Sequence, residues 1–135
     1  MEDGAIMKIE HVALQVADPA AMADWYVAHL AFHVKRASDA PVVARFLADV
    51  SGTVMLEVYR NLDHPVPDYA AIDPVALHVA FVCPDIAATA NRLQAAGAKL
   101  LSGPTVSGSD TFAMLRDPWG LPLQLVARGQ PMIKI

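Results

Sequence analysis

An internal repeat constrains this chain more than any other feature. His11-Val12-Ala13-Leu14 returns sixty-seven residues later as His78-Val79-Ala80-Phe81. At the same offset Asp18, Ala20, Ala21 and Ala23 meet Asp85, Ala87, Ala88 and Ala90. The offset slips by one in the middle, which sets Ala31 opposite Gly97, and Leu47 to Gly52 then lies opposite Leu115 to Gly120. One inserted residue restores the register, so that Leu56-Glu57 aligns with Leu123-Gln124. A repeat of this length is too long for a solenoid unit. With 135 residues in all, each copy has about 60, too few to bury a sizeable core alone. The repeat therefore reads as two half-domains of a single domain, residues 1–135.

Each copy runs strand, helix, then three strands. Lys8 to Ala17 alternates as a strand, with Ile9, Val12, Leu14 and Val16 as its apolar positions. Asp18-Pro19 supplies a helix cap and a first-turn proline. Met22, Trp25, Tyr26 and His29 follow at helical spacing, and the helix should stop near Leu30. Strands are expected over 32–37, 42–48 and 53–60. The second copy offers a strand over 75–83, a helix capped by Asp85 and stopped at Gly97, and strands over 98–101, 111–116 and 121–128. Asp49 to Gly52 and Asp117 to Gly120 are matching hairpin turns. Asn61 to Pro74, with three prolines and three aspartates, reads as a linker that could act as a flap. The fold class is α+β, two βαβββ modules (about 8–60 and 75–128) joined by linker 61–74.

Strand alternation sorts the chemistry. If Val12, Leu14 and Val16 face the helix, His11 points the other way with Ala13 and Gln15. The same rule opposes His78 to Val79 and Phe81, Glu57 to Leu56 and Val58, and Gln124 to Leu123 and Leu125. His11, Glu57, His78 and Gln124 are thus expected to converge, with 46 residues separating the two members of each pair. Two imidazoles with oxygen donors suit a divalent first-row ion (Zn, Ni, Co, Mn or Fe) and leave positions for water or substrate.

The quoted strands, with Met55-Leu-Glu-Val-Tyr59 and Arg116-Asp-Pro-Trp-Gly-Leu-Pro-Leu-Gln-Leu-Val126, resemble the vicinal oxygen chelate superfamily from about Lys8 to Arg128. Its members include glyoxalase I, extradiol dioxygenases, methylmalonyl-CoA epimerase, and fosfomycin- and bleomycin-resistance proteins. The resemblance implies a curved mixed sheet around a central cavity with helices outside, a homodimer, and metal ligands at His11, Glu57, His78 and Gln124. It also implies a glyoxalase-like lyase or isomerase that chelates vicinal oxygens of a small substrate. Glyoxalase I has glutamate where Gln124 stands, serving as ligand and proton-shuttling base. An amide cannot carry protons, so by pseudo-symmetry Glu57 takes the catalytic role. The alternatives are a metal-free small-molecule binding or resistance protein and an Fe(II) extradiol dioxygenase. The dioxygenase relatives draw their carboxylate from the last strand, where this chain has Gln124.

The remaining residues carry plainer readings. Met55 and Tyr59 flank Glu57 and are candidate pocket lining, with Arg116 and Trp119 as further candidates. For Arg45 and Arg116 a surface salt bridge is the first reading, and contact with a substrate anion the second. Trp25 and Tyr26 read as core, Cys83 as buried and inert, and His29, His33 and His64 as ordinary polar groups.

Composition excludes several classes. At 55% hydrophobic and 18% charged residues the chain is not disordered. A net charge of −4 with no basic stripe argues against nucleic acid and anionic membrane. One cysteine, no uncharged apolar run near ~18 residues, and an acidic start without a signal-peptide pattern are read as a cytoplasmic protein.

Overall fold

The computed structural model describes residues 6–134. The acidic start on which the absence of a signal-peptide pattern rests lies mostly outside the described residues. Each copy of the repeat builds the same arrangement of elements. The first contains β1 (His11–Gln15), α1 (Pro19–Leu30), β2 (His33–Ser38), β3 (Val43–Ala48) and β4 (Met55–Arg60). The second contains β5 (Val79–Val82), α2 (Ile86–Ala95), β6 (Lys99–Ser107), β7 (Asp110–Arg116) and β8 (Pro122–Ala127). The chain divides into two compact units at Pro67 and Asp68, inside the expected linker. Among the described residues no helix is long and apolar enough to cross a membrane.

In the first unit the sheet order is β1-β4-β3-β2, with β1 parallel to β4 and the other pairs antiparallel. In the second it is β5-β8-β7-β6, with β5 parallel to β8. The repeat holds at the level of single pairs. Val12 lies beside Leu56 and Ala13 beside Glu57, while Val79 lies beside Leu123 and Ala80 beside Gln124.

Both helices start where the cap residues require. The Asp18 carboxylate accepts the Ala21 N–H at 3.1 Å, and Asp85 accepts that of Ala88 at 3.0 Å. The first helix ends at Leu30 as expected, and Gly97 follows the second with φ +107°. α1 packs on β2, β3 and β4, and α2 on β6, β7 and β8. Met22, Tyr26, Leu47 and Val58 are fully buried in the first unit, and Leu93, Leu115, Leu123 and Leu125 in the second. Each such side chain contributes roughly 1.5–3 kcal/mol through burial. Trp25 joins the core as expected, and Cys83 is buried with its thiol 3.3 Å from the Thr89 hydroxyl.

Three expectations need correction, and the linker gains detail. The strand expected over 8–17 is confined to His11–Gln15, and Val12, assigned to the core, is 51% exposed on this outermost strand. The strand expected over 98–101 continues to Ser107, through two register shifts. The linker holds a 3₁₀ turn, Tyr69–Ala71, with Tyr69 buried. The strand expected over 75–83 begins only at Val79, so His78 precedes β5 rather than lying within it. The physical cause is Pro122. In the first unit Met55 N–H donates to the Glu10 carbonyl at 2.8 Å and extends the pairing past His11. Pro122 replaces Met55 in the repeat and has no N–H to give.

Asp110 ties the start of β7 to the chain after β8. Its carboxylate accepts the Gly129 N–H and an Arg128 N–H, each at 3.0 Å, and these bonds hold its pKa below the ordinary 3.8. A pKa lowered by folding stabilises the protein fully above the unfolded value, and that stability is lost as pH falls through the folded value. Urea denaturation of wild type and Asp110→Asn should therefore show a stability gap that is constant at neutral pH and closes below 3.8. A gap that does not change with pH would contradict this.

Candidate functional site

β1 and β4 lie side by side in parallel, so their odd-numbered residues share the face turned away from α1. On that face the His11 Nε2 stands 3.6 Å from the Glu57 Oε1. The other ring nitrogen, Nδ1, lies 2.9 Å from the Glu10 carboxylate. A carboxylate only accepts, so this partner places a proton on Nδ1 and leaves Nε2 as the ring nitrogen facing Glu57. Phe46, the β3 neighbour of Glu57, meets the His11 ring edge-on with centroids 5.2 Å apart. The His11 and Glu57 side chains are 34% and 19% exposed, so solvent reaches both while the sheet still shields the carboxylate.

This pair fits a shared metal ion. Two ligands at about 2.1 Å from one tetrahedral ion stand about 3.4 Å apart, close to the separation found here. In the second unit the His78 Nδ1 lies 2.6 Å from the Pro74 carbonyl. A carbonyl only accepts, so this ring too carries a proton on Nδ1 and turns Nε2 away from that bond. Gln124 is half-buried on β8 beside Ala80. The structure thus brings His11 and Glu57 together within one unit and holds His78 and Gln124 in the other. Among the described residues no group of three or more His, Cys, Asp or Glu is arranged to hold a metal.

The other candidates are placed as follows. Met55 is half-buried beside His11. Tyr59 is the β4 neighbour of Gln15, and both line a cleft of about 360 Å³ with Asn61, His64, Pro65 and Pro67. Gln15 anchors that loop: its amide donates to the Asn61 and His64 carbonyls and accepts the Asn61 N–H, all at 2.8 Å. Trp119 is half-buried at its hairpin, where its N–H donates to Asp117 at 2.9 Å. Arg45 makes the expected ion pair, with Asp39 at 2.9 Å, and its half-buried guanidinium also donates to the Ser38 and Ala44 carbonyls. Arg116 does not follow that pattern; its guanidinium donates to the carbonyls of Tyr69, Gly120 and Ile72.

Sequence reasoning missed Glu10, Phe46 and the Pro74 carbonyl. Phe46 needed the strand register, since it meets His11 only because β3 lies beside β4. Glu10 adjoins His11 in sequence, but alternation sends neighbouring side chains to opposite faces and so hid the contact.

The profile of the Glyoxalase/Bleomycin resistance protein/Dioxygenase superfamily matches residues 8–125. The chain belongs to this superfamily. Solved structures agree with that assignment at the level of fold. A glyoxalase family protein from Bacillus cereus superposes with a TM-score of 0.79 at 18% identity, covering 94% of this chain and 97% of that one. An antibiotic-binding protein from Streptomyces sp. CB03234 gives 0.73 at 20% identity, over 93% and 98%. A V278E mutant of glyoxalase I from Zea mays gives 0.68 at 24% identity, where 87% of this chain covers 45% of that one. No curated protein matches the chain. The superfamily binds small molecules, and its members commonly use divalent metals.

Proposed function

We propose that this protein is a metal-dependent enzyme of the glyoxalase type, a lyase or isomerase acting on a small substrate with vicinal oxygens. His11, Glu57, His78 and Gln124 would hold a divalent ion, with Met55, Tyr59 and Trp119 along the pocket. The observation that carries this reading is the state of the two histidines. Each has Nδ1 bound to an acceptor, Glu10 in one case and the Pro74 carbonyl in the other, and each therefore offers Nε2 as a ligand. A histidine that ligates through Nε2 needs its proton on Nδ1, whereas a histidine that merely fills space does not.

A bound divalent ion would supply polarisation of the substrate oxygens and offset negative charge developing there. The protein supplies the proton transfer. Glu57 takes the proton from a hydroxyl-bearing carbon beside a carbonyl and returns it to the former carbonyl carbon, while the hydroxyl proton passes to the other vicinal oxygen. An amide at Gln124 cannot perform this transfer. Glu10 keeps the His11 ring from turning, and Phe46 blocks one side of it. Gln15 fixes the loop that walls the cleft beside Tyr59. The working form is a homodimer in the cytoplasm, with neither nucleic acid nor membrane as partner.

A second reading rests on a specific observation. A cleft of about 360 Å³ sets Tyr59, Pro65 and Pro67 beside the polar Gln15, Asn61 and His64, a lining that suits a small organic molecule. That reading is a metal-free small-molecule binding or resistance protein; the Streptomyces neighbour is an antibiotic-binding protein. Titration of the metal-free protein with Co(II) separates the two. Saturable uptake with visible ligand-field bands, abolished in His11→Ala/His78→Ala, is expected. Folded wild type that takes up no Co(II) would leave the binding reading in its place.

A further inference from the structure

Arg116 closes β7 with its guanidinium turned toward main-chain carbonyls. Its Nη1 donates to Tyr69 at 2.9 Å and Gly120 at 3.1 Å, and its Nη2 donates to Ile72 at 2.9 Å. Charge-assisted bonds of this kind are stronger than neutral ones, and the rigid fork of arginine sets their directions. The Tyr69–Ala71 turn is thereby docked on the Asp117–Gly120 hairpin. The fit is close, because a Cβ on Gly120 would stand 2.7 Å from the Ala70 nitrogen.

The chain continues from Ile72 directly into the turn that precedes His78. The Asp73 carboxylate accepts the Val75 N–H at 2.9 Å, and its carbonyl accepts those of Ala76 at 2.9 Å and Leu77 at 3.3 Å. That turn presents the Pro74 carbonyl 2.6 Å from the His78 Nδ1. The strand ladder does not hold His78, since Pro122 interrupts it. The turn is what holds the ring.

We propose that Arg116 is a positioning residue for His78. It fixes Tyr69 to Ile72, so that the turn headed by Asp73 delivers the Pro74 carbonyl to Nδ1 and keeps the ring in the Nδ1–H tautomer. Free neutral histidine favours the opposite form, with the proton on Nε2, which cannot ligate a metal through that atom. The use of the freed Nε2 as a ligand rests on the function proposed above, while the tautomer rests on the hydrogen bonds alone.

The test is ¹⁵N NMR of the histidine rings in the metal-free protein at alkaline pH, on wild type, Arg116→Met and Asp73→Ala. Wild type should show His78 with a protonated Nδ1 and a pyridine-like Nε2. Both variants should move His78 toward the Nε2–H form while His11, held by Glu10, stays unchanged. Asp73 is exposed, so its variant should fold even if loss of Arg116 proves too destabilising. In that event, an unchanged His78 tautomer in Asp73→Ala overturns the proposal. So does an unchanged tautomer in folded Arg116→Met. Zn(II) affinity of folded Arg116→Met should also fall, by roughly 10- to 100-fold. Absence of Zn(II) binding by wild type would refute the proposed function and leave the tautomer result standing, which keeps the two failures distinct.

Discussion

Glu57→Gln is expected to lower turnover by about 10²- to 10⁴-fold on any substrate that wild type converts. The change swaps one carboxylate oxygen for an amide nitrogen at nearly constant volume. The side chain is half-buried on β4 between Phe46 and Ala13, and its carboxylate approaches His11 at 3.6 Å. Neither its packing nor its strand pairing changes. The pair with His11 is partly exposed and is worth at most about 1 kcal/mol, so urea denaturation should show a loss no larger than that. What disappears is the carboxylate that accepts and returns a proton, because β4 and β8 would then both present an amide at the matching position. Retained turnover in the variant would show that the proton goes elsewhere and would remove Glu57 from the mechanism.

The largest expected effect on stability comes from Gly120→Ala. Gly120 closes the Asp117 hairpin with φ +93°, which costs an L residue roughly 1–3 kcal/mol. Its added Cβ would also meet the Ala70 nitrogen at 2.7 Å and the Ala70 Cβ at 2.8 Å. Both contacts lie in a segment that Arg116 holds in place, so neither can yield without breaking those hydrogen bonds. Together the strain and the overlap should cost about 3 kcal/mol, or about 10 °C in Tm for a protein of this size. The matching Gly52 has nothing within 4 Å of its Cβ, so Gly52→Ala carries the backbone strain alone and should cost less. Equal losses in the two variants, read by differential scanning calorimetry, would show that the contact with Ala70 is unimportant.

The parts of the fold legible in sequence were those that depend on side-chain type at fixed spacing. Asp18 and Asp85 cap their helices as read, and the offset of the repeat reappears as pairs Val12–Leu56 and Val79–Leu123. The face shared by His11 and Glu57 followed from alternation and a parallel neighbour. What escaped depends on main-chain atoms or on pairing that is absent. The Pro74 and Ile72 carbonyls have no signature, because every residue carries a carbonyl. The early end of the β5 ladder traces to one missing N–H at Pro122, visible only once β8 is known to lie beside β5. Arg116 looked like a surface charge for the same reason, since the carbonyls it satisfies lie 44 and 47 residues away in the chain.

The central claim is that this chain carries a divalent ion on His11, Glu57, His78 and Gln124. Elemental analysis of the full-length protein, purified without added metal or chelator, tests it most directly. The prediction is about one divalent first-row ion per site in wild type and none in folded His11→Ala/His78→Ala. A wild type free of metal, or a double variant that retains it, would contradict the account.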